Sequence, residues 1–403
     1  MNYKLFAVII IILTYLYGLL LELLDRRSAD NPVPENVADV YDPETYKKWR
    51  AYHGEKSRLS FINQTVSFII SLGLILSNAY PAFARLFPAT DFLQMLSVFL
   101  LSTLTDFLLL PVSWYDTMVI EEKYGFNRTD KKTFWLDTFK ETLISLVLMT
   151  LIGLLLMWAH KTLGDRMIVV FAVIMTILVL VISFLAPVLT KIFNKFTPLE
   201  DGDLKDKLTS LLEKHGYKVR AIQVMDASRR STKSNAYFTG FGKMKTIVLY
   251  DTLVEQMTTD EICAVFAHEM GHGLHKDTLK NQIFSAVQMF LMAVLAWLTL
   301  CSPEIFRSFG FDGINYGFAI VLIGFELALF SPVFSFLINA YSRKAEYRAD
   351  RQAVQEGYGQ ALISGLKKLT RENFGDLSPD PLLVKLTYSH PTLSQRIAAI
   401  DRS

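Results

Sequence analysis

The 403-residue chain has only two cysteines, Cys263 and Cys301, so no disulfide framework holds it together and its composition fits a reducing compartment. It carries almost no net charge. The 41 Lys and Arg against 39 Asp and Glu leave +2 at neutral pH, which removes the strongly basic character a nucleic-acid partner requires. No internal repeat and no low-complexity linker is evident, so repeat architectures are excluded. The stretch 28–42, with Pro32 and Pro34 inside it and Pro43 just beyond, comes nearest to an unstructured segment.

What the chain has in excess is apolar sequence. Hydrophobic residues make up 51% and the mean hydropathy is +0.30, too high for a typical soluble protein. They are gathered into runs at residues 5–21, 61–80, 92–115, 143–158, 167–189, 284–301 and 316–340. Each approaches the ~20 residues needed to cross ~30 Å of hydrocarbon, which predicts seven membrane helices. The first run is read as a span, since Glu22-Leu23-Leu24-Asp25-Arg26-Arg27 follows it where a signal peptide would have small residues. With seven spans, Lys4, Arg85, Lys161, Arg166 and Arg307 are the only five of the 41 basic residues on the side of the amino terminus. Basic loops stay in the cytosol, so the loops after spans one, three and five and the carboxyl tail face the cytosol. The formal glycosylation sequons at Asn63 and Asn127 fall in a span and on that cytosolic side, so neither is expected to be used.

The strongest chemical signal is His268-Glu269-Met270-Gly271-His272. On a helix, positions i and i+4 share a face, so two imidazoles can converge on one ion with a carboxylate beside them, the arrangement of zinc hydrolases. Thr258 and Glu261 form a capping-box pattern, and Ile262, Val265 and Phe266 follow at helical spacing. A catalytic zinc also needs a third protein ligand and an open position for water. Glu346, in Arg343-Lys344-Ala345-Glu346-Tyr347-Arg348-Ala349-Asp350, can be that ligand. Asp350, one turn further on, can accept a proton from the outer nitrogen of a ligand imidazole. By themselves these charges would read as a solvated helix face laced with ion pairs. Glu269 is then the general base, and His390, in a turn before Pro391, a candidate donor to the oxyanion. His275 could compete as a ligand, while His53, His160 and His215 stand in no motif. Asp106 and Glu326, acids inside runs, would face a cavity or a partner.

The polar insertion 190–280 has a mixed pattern. Residues 203–215 predict an amphipathic helix, and 219–225 and 246–250 short strands, with 234–240 as a third. An exposed edge strand beside a zinc helix can hold an extended peptide through its main chain. The expected division is residues 1–191 for spans one to five, 192–280 for the cytosolic protease segment, 281–340 for spans six and seven, and 341–403 for a cytosolic carboxyl part.

These residues, with Ile120-Glu121-Glu122-Lys123-Tyr124-Gly125-Phe126-Asn127, Lys195-Phe196-Thr197-Pro198-Leu199, Asn235-Ala236-Tyr237-Phe238, the stretch 247–253 and Ser389-His390-Pro391, resemble the type I CAAX prenyl proteases over most of the chain. The resemblance implies seven helices forming a barrel around a water-filled chamber, closed at the cytosolic end by a mainly α zinc protease domain with a small β-sheet. It implies one Zn2+ per chain on His268, His272 and Glu346, with Asp350 behind them. By the same resemblance Glu269 and His390 are catalytic, and Asn235, Ala236 and Tyr237 hold the substrate. The implied partners are a peptide or protein substrate, prenylated in the family's pattern, and the bilayer.

Two departures stand out. Many eukaryotic members carry an aromatic residue and a further histidine after the motif, where this chain has Gly273 and Asp277, and no endoplasmic-reticulum retrieval signal is evident in residues 397–403. Both suit a bacterial relative in a plasma membrane. The nearer alternative is a quality-control protease cutting unprenylated membrane proteins. The remote one is a transporter or scaffold with structural zinc.

Overall fold

A computed structural model describes residues 2–233, 235–239 and 244–403. Among these the chain is mostly helical, with one four-stranded sheet. It opens with α1 (Tyr3–Ser28) and α2 (Pro43–Leu76). Asp42 caps α2 by accepting from the Thr45 N–H at 2.9 Å, and Pro43 sits in the first turn, where its missing N–H costs nothing. The left-handed conformation of Asn78 (φ 54°) then splits the expected span 61–80 into the end of α2 and the short α3 (Ala79–Ala84).

The expected span 92–115 is also divided, into α4 (Asp91–Asp106) and α5 (Leu110–Tyr115), with a bend of 40°. Pro111 supplies the reason, because it lacks the N–H that would bond the carbonyl of Phe107 and its ring crowds that turn. Next come α6 (Lys131–Leu163) and α7 (Met167–Leu189), separated at Gly164, whose φ of 50° suits glycine.

The polar insertion forms β1 (Phe196–Pro198), α8 (Asp203–Lys214), β2 (Lys218–Met225), β3 (Ala236–Thr239), β4 (Met244–Tyr250) and α9 (Asp251–Gln256). The strand order is β1-β2-β4-β3, with β2 and β4 parallel and both outer strands antiparallel to their neighbours. Ser234 and Gly240, the ends of the expected third strand, lie outside the described residues. The chain continues through α10 (Thr259–Leu274), α11 (Asp277–Leu300), α12 (Pro303–Ser308), α13 (Tyr316–Gln355), α14 (Gly359–Glu372), α15 (Pro381–Thr387) and α16 (Leu393–Ile400).

Among the described residues, five helical stretches are long and apolar enough to cross a membrane: Tyr3–Ser28, Pro43–Leu76, Lys131–Ser183, Asp277–Leu300 and Tyr316–Gln355. The α4–α5 pair makes a sixth if it is one bent span. The sequence predicts seven; the described residues support five, or six with the bent pair. α13 is the longest element, at 40 residues, and runs through the boundary expected at residue 340 without a break. It tolerates Pro332 because the Ser331 hydroxyl donates to the Ala328 carbonyl, 3.0 Å away, the group that the proline leaves unpaired.

Among the described residues, two large apolar cores stand beside three smaller clusters. One joins the long helices through Met95, Phe99, Leu156, Phe171 and Phe318. The other packs Leu208, Leu211 and Leu212 of α8, Ile247 and Leu249 of β4, and Ile262 and Phe266 of α10 against Leu362 of α14. Each such side chain contributes about 1.5–3 kcal/mol when fully buried. This second core seats α10 between the sheet and α13.

Candidate metal centre

The first turn of α10 is closed by its capping box. Thr258 accepts from the Glu261 N–H at 3.3 Å, and the Glu261 carboxylate accepts from the Thr258 N–H at 2.9 Å. From there the helix carries His268, which is buried, and Glu269 and His272, which are half-buried. α13 lies close against it. A Cβ on Gly271 would stand 2.9 Å from the Ala349 Cα and 3.1 Å from the Gln352 Cβ, so only glycine admits this approach. That contact sets Glu346 opposite the two imidazoles.

One donor atom from each of His268, His272 and Glu346 falls within 4.8 Å of the other two. The Glu346 Oε2 lies 3.4 Å from His268 Nε2, and Oε1 lies 3.2 Å from His272 Nε2. Glu346 is buried, and its Oε2 has no hydrogen-bond donor although the Arg396 Nη1 stands 3.5 Å away. A buried carboxylate oxygen left this way is costly unless a cation takes it up. Two imidazole nitrogens and one carboxylate suit a divalent metal held by three protein groups, with a position left for water.

The electrostatics fit the same use. Burial and the Arg396 charge push the His268 imidazole down, but the Asp350 and Glu346 carboxylates outweigh both and raise it to about 9. Burial also opposes protonation of His272, and Glu346 raises it on balance. A metal at this point therefore competes with protons for the same nitrogens.

Asp350 Oδ1 accepts from His268 Nδ1 at 2.8 Å, which turns the opposite nitrogen toward Glu346. His390 Nε2 comes within 3.4 Å of Glu346 Oε1, on a ring that is 60% exposed, and Ser389 Oγ lies 2.9 Å from its other nitrogen. His275 is exposed at the end of α10 and is not in the three-donor group. Asn235 is exposed; its side chain accepts from the Ala236 N–H at 2.8 Å and its carbonyl from the Tyr250 N–H at 3.1 Å. Ala236 begins β3, the sheet edge that packs beside α10, and Tyr237 pairs with Val248 there. Glu326 meets the hydroxyl of Thr299 at 3.3 Å, and Asp106 is exposed at the end of α4.

Two residues escaped the sequence reading. Arg396 on α16 is buried and forks onto Asp350, with Nε 2.9 Å from Oδ2 and Nη2 2.5 Å from Oδ1. Asp277 lies 3.1 Å from His272 Nδ1. Asp277 differed from the family pattern, which was the one available signal; Arg396 is a single arginine in a short amphipathic segment.

Known proteins match over the whole of this architecture. The model of the CAAX prenyl protease N-terminal region, described as five membrane helices, matches residues 22–195, and that of peptidase family M48 matches residues 198–403. The chain is 35% identical to the CAAX prenyl protease 1 homolog of Arabidopsis thaliana, over 97% of this chain and 95% of that one. It is 32% identical to CAAX prenyl protease 1 of Saccharomyces cerevisiae, over 93% and 90% of the two chains. Among solved structures, that of S. mikatae Ste24p superposes with a TM-score of 0.93 at 29% identity, covering 99% of each chain.

Proposed function

Because the chain belongs to peptidase family M48 and carries the membrane region of the CAAX prenyl proteases, it is a multi-pass membrane metalloendopeptidase, and we propose that it holds one zinc ion and cleaves prenylated, CAAX-type chains near their carboxyl end. The observation that carries the zinc reading is the buried Glu346 carboxylate set between two imidazoles, with Oε2 3.4 Å from His268 Nε2 and Oε1 3.2 Å from His272 Nε2. His268 and His272, through Nε2, and Glu346 would be the ligands. Bound there, zinc supplies a Lewis acid that polarises the scissile carbonyl and acidifies water.

The chain's own groups do the rest. Glu269, between the two histidines on α10, takes the proton of the attacking water and returns it to the leaving amine. Asp350 keeps His268 in the tautomer whose Nε2 is free to ligate. His390 reaches the same carboxylate as the two histidines and donates to the oxyanion that forms at the carbonyl. β3 presents an outer edge beside α10, where an extended substrate can add as a strand along Asn235, Ala236 and Tyr237.

The same proposal gives the chain seven spans, by dividing residues 131–183 at Gly164 and counting α4–α5 once, arranged as a barrel around a chamber. The division into 1–191, 192–280, 281–340 and 341–403 stands with it, α13 passing from membrane to site across the last boundary. The distribution of Lys and Arg supports a cytosolic site. The relatives named above are all eukaryotic and lend no support to a bacterial plasma membrane. The test compares cleavage of one peptide with and without a carboxyl-terminal isoprenyl-cysteine. Faster cleavage of the prenylated form is expected; equal rates would remove the prenyl specificity and favour a quality-control protease.

A further inference from the structure

Resting on that zinc reading, we propose that Asp277 is a positioning residue: it fixes the ring of His272 and thereby ties the metal site to α11 and α13. The contacts divide between its two oxygens. Oδ2 faces His272 Nδ1 at 3.1 Å. Oδ1 accepts from the Tyr341 hydroxyl at 2.5 Å and from the Arg348 Nη2 at 2.8 Å, with Lys280 Nζ 3.7 Å away. The same Arg348 nitrogen donates to the Tyr341 oxygen at 3.2 Å, so the two donors also hold one another. With Oδ1 so occupied, the buried carboxylate presents only Oδ2 to the imidazole. His272 Nδ1 must carry its proton to donate there, and Nε2 keeps its lone pair for the metal.

The backbone delivers this contact deliberately. α10 ends at Leu274, and Lys276 adopts a left-handed conformation (φ 56°), which for a lysine costs about 1 kcal/mol or more. The reversal it makes brings the first residue of α11 back beneath His272. The result parallels the other ligand, where His268 donates to Asp350 and Asp350 is clamped by Arg396. Each ligand histidine thus has its own carboxylate and each carboxylate its own arginine. They differ in origin: Asp350 is clamped from α16, whereas Asp277, Tyr341 and Arg348 belong to α11 and α13, both of which are long and apolar enough to span a membrane.

The test uses the full-length, detergent-purified protein stripped of metal, and measures zinc affinity by competition with a chromophoric chelator alongside thermal unfolding of the metal-free form. Asp277→Ala should weaken zinc binding about 10- to 100-fold while the metal-free melting temperature changes little. Asp277→Asn, whose carbonyl oxygen still accepts from His272 Nδ1, should recover most of that affinity. Unchanged affinity in Asp277→Ala would overturn the proposal. So would a matched loss of affinity and metal-free stability that Asp277→Asn does not relieve, which marks a merely structural role. If the wild-type chain bound no zinc in this assay, the metal reading beneath the proposal would fall, and the proposal with it.

Discussion

Gly271→Ala adds a single methyl group at the contact between the two helices that carry the ligands. In an ordinary helix this change is favourable by about 1 kcal/mol, because alanine has the higher helix propensity and narrows the unfolded ensemble. Here the new Cβ would lie 2.9 Å from the Ala349 Cα and 3.3 Å from its Cβ, well inside the ~3.5–4.0 Å at which carbon atoms rest. Its nearest neighbour is backbone, so relief requires α10 and α13 to part. Overpacking of this kind costs about 1–3 kcal/mol. Parting the helices moves His268 and His272 away from Glu346, whereas metal geometry tolerates only about 0.2 Å. If the strain must be paid back whenever the site closes on zinc, affinity falls by roughly 5- to 150-fold, at about 1.4 kcal/mol per tenfold. Equilibrium competition with a zinc chelator reads that loss. The reasoning fails if Gly271→Ala binds zinc as tightly as the wild type and gains stability, as an unconstrained helix position would.

Three further outcomes follow from the same geometry. Glu269→Gln should retain zinc and the fold while peptide cleavage drops by about 10²–10⁴ for want of the base, and His268→Ala should lose the metal, measured by turnover beside elemental analysis. Arg396→Ala leaves the buried Asp350 carboxylate without its counter-charge, at about 3–5 kcal/mol, so it should unfold more readily in denaturant than the paired replacement of Arg396 and Asp350 by apolar residues.

Local pattern made much of this protein legible before any contact was known. The capping box at Thr258 and Glu261, the four-residue spacing of His268 and His272, the apolar runs and the strands around Val248 all rest on interactions within a few residues, which sequence order states directly. Where one residue overrides its surroundings the pattern was less faithful. Pro111 bends a run that hydropathy reads as continuous, and Asn78 ends a helix inside another. Apolar runs report that a segment suits hydrocarbon, not where it turns.

What the linear order could not supply is the company that residues keep across long separations. Arg396 meets Asp350 from 46 positions away, and Asp277 gathers Tyr341 and Arg348 from 64 and 71 positions away. The sheet order that puts β3 on the edge depends on β2 and β4 pairing in parallel past it. The distance between Glu346 and the imidazoles depends on a glycine meeting an alanine on another helix. Sequence alone determined the types of element and the ligand candidates, because periodicity and spacing act within a turn or two of chain. Tertiary structure decided which oxygens face which nitrogens, because packing joins helices whose order along the chain carries no record of their contact.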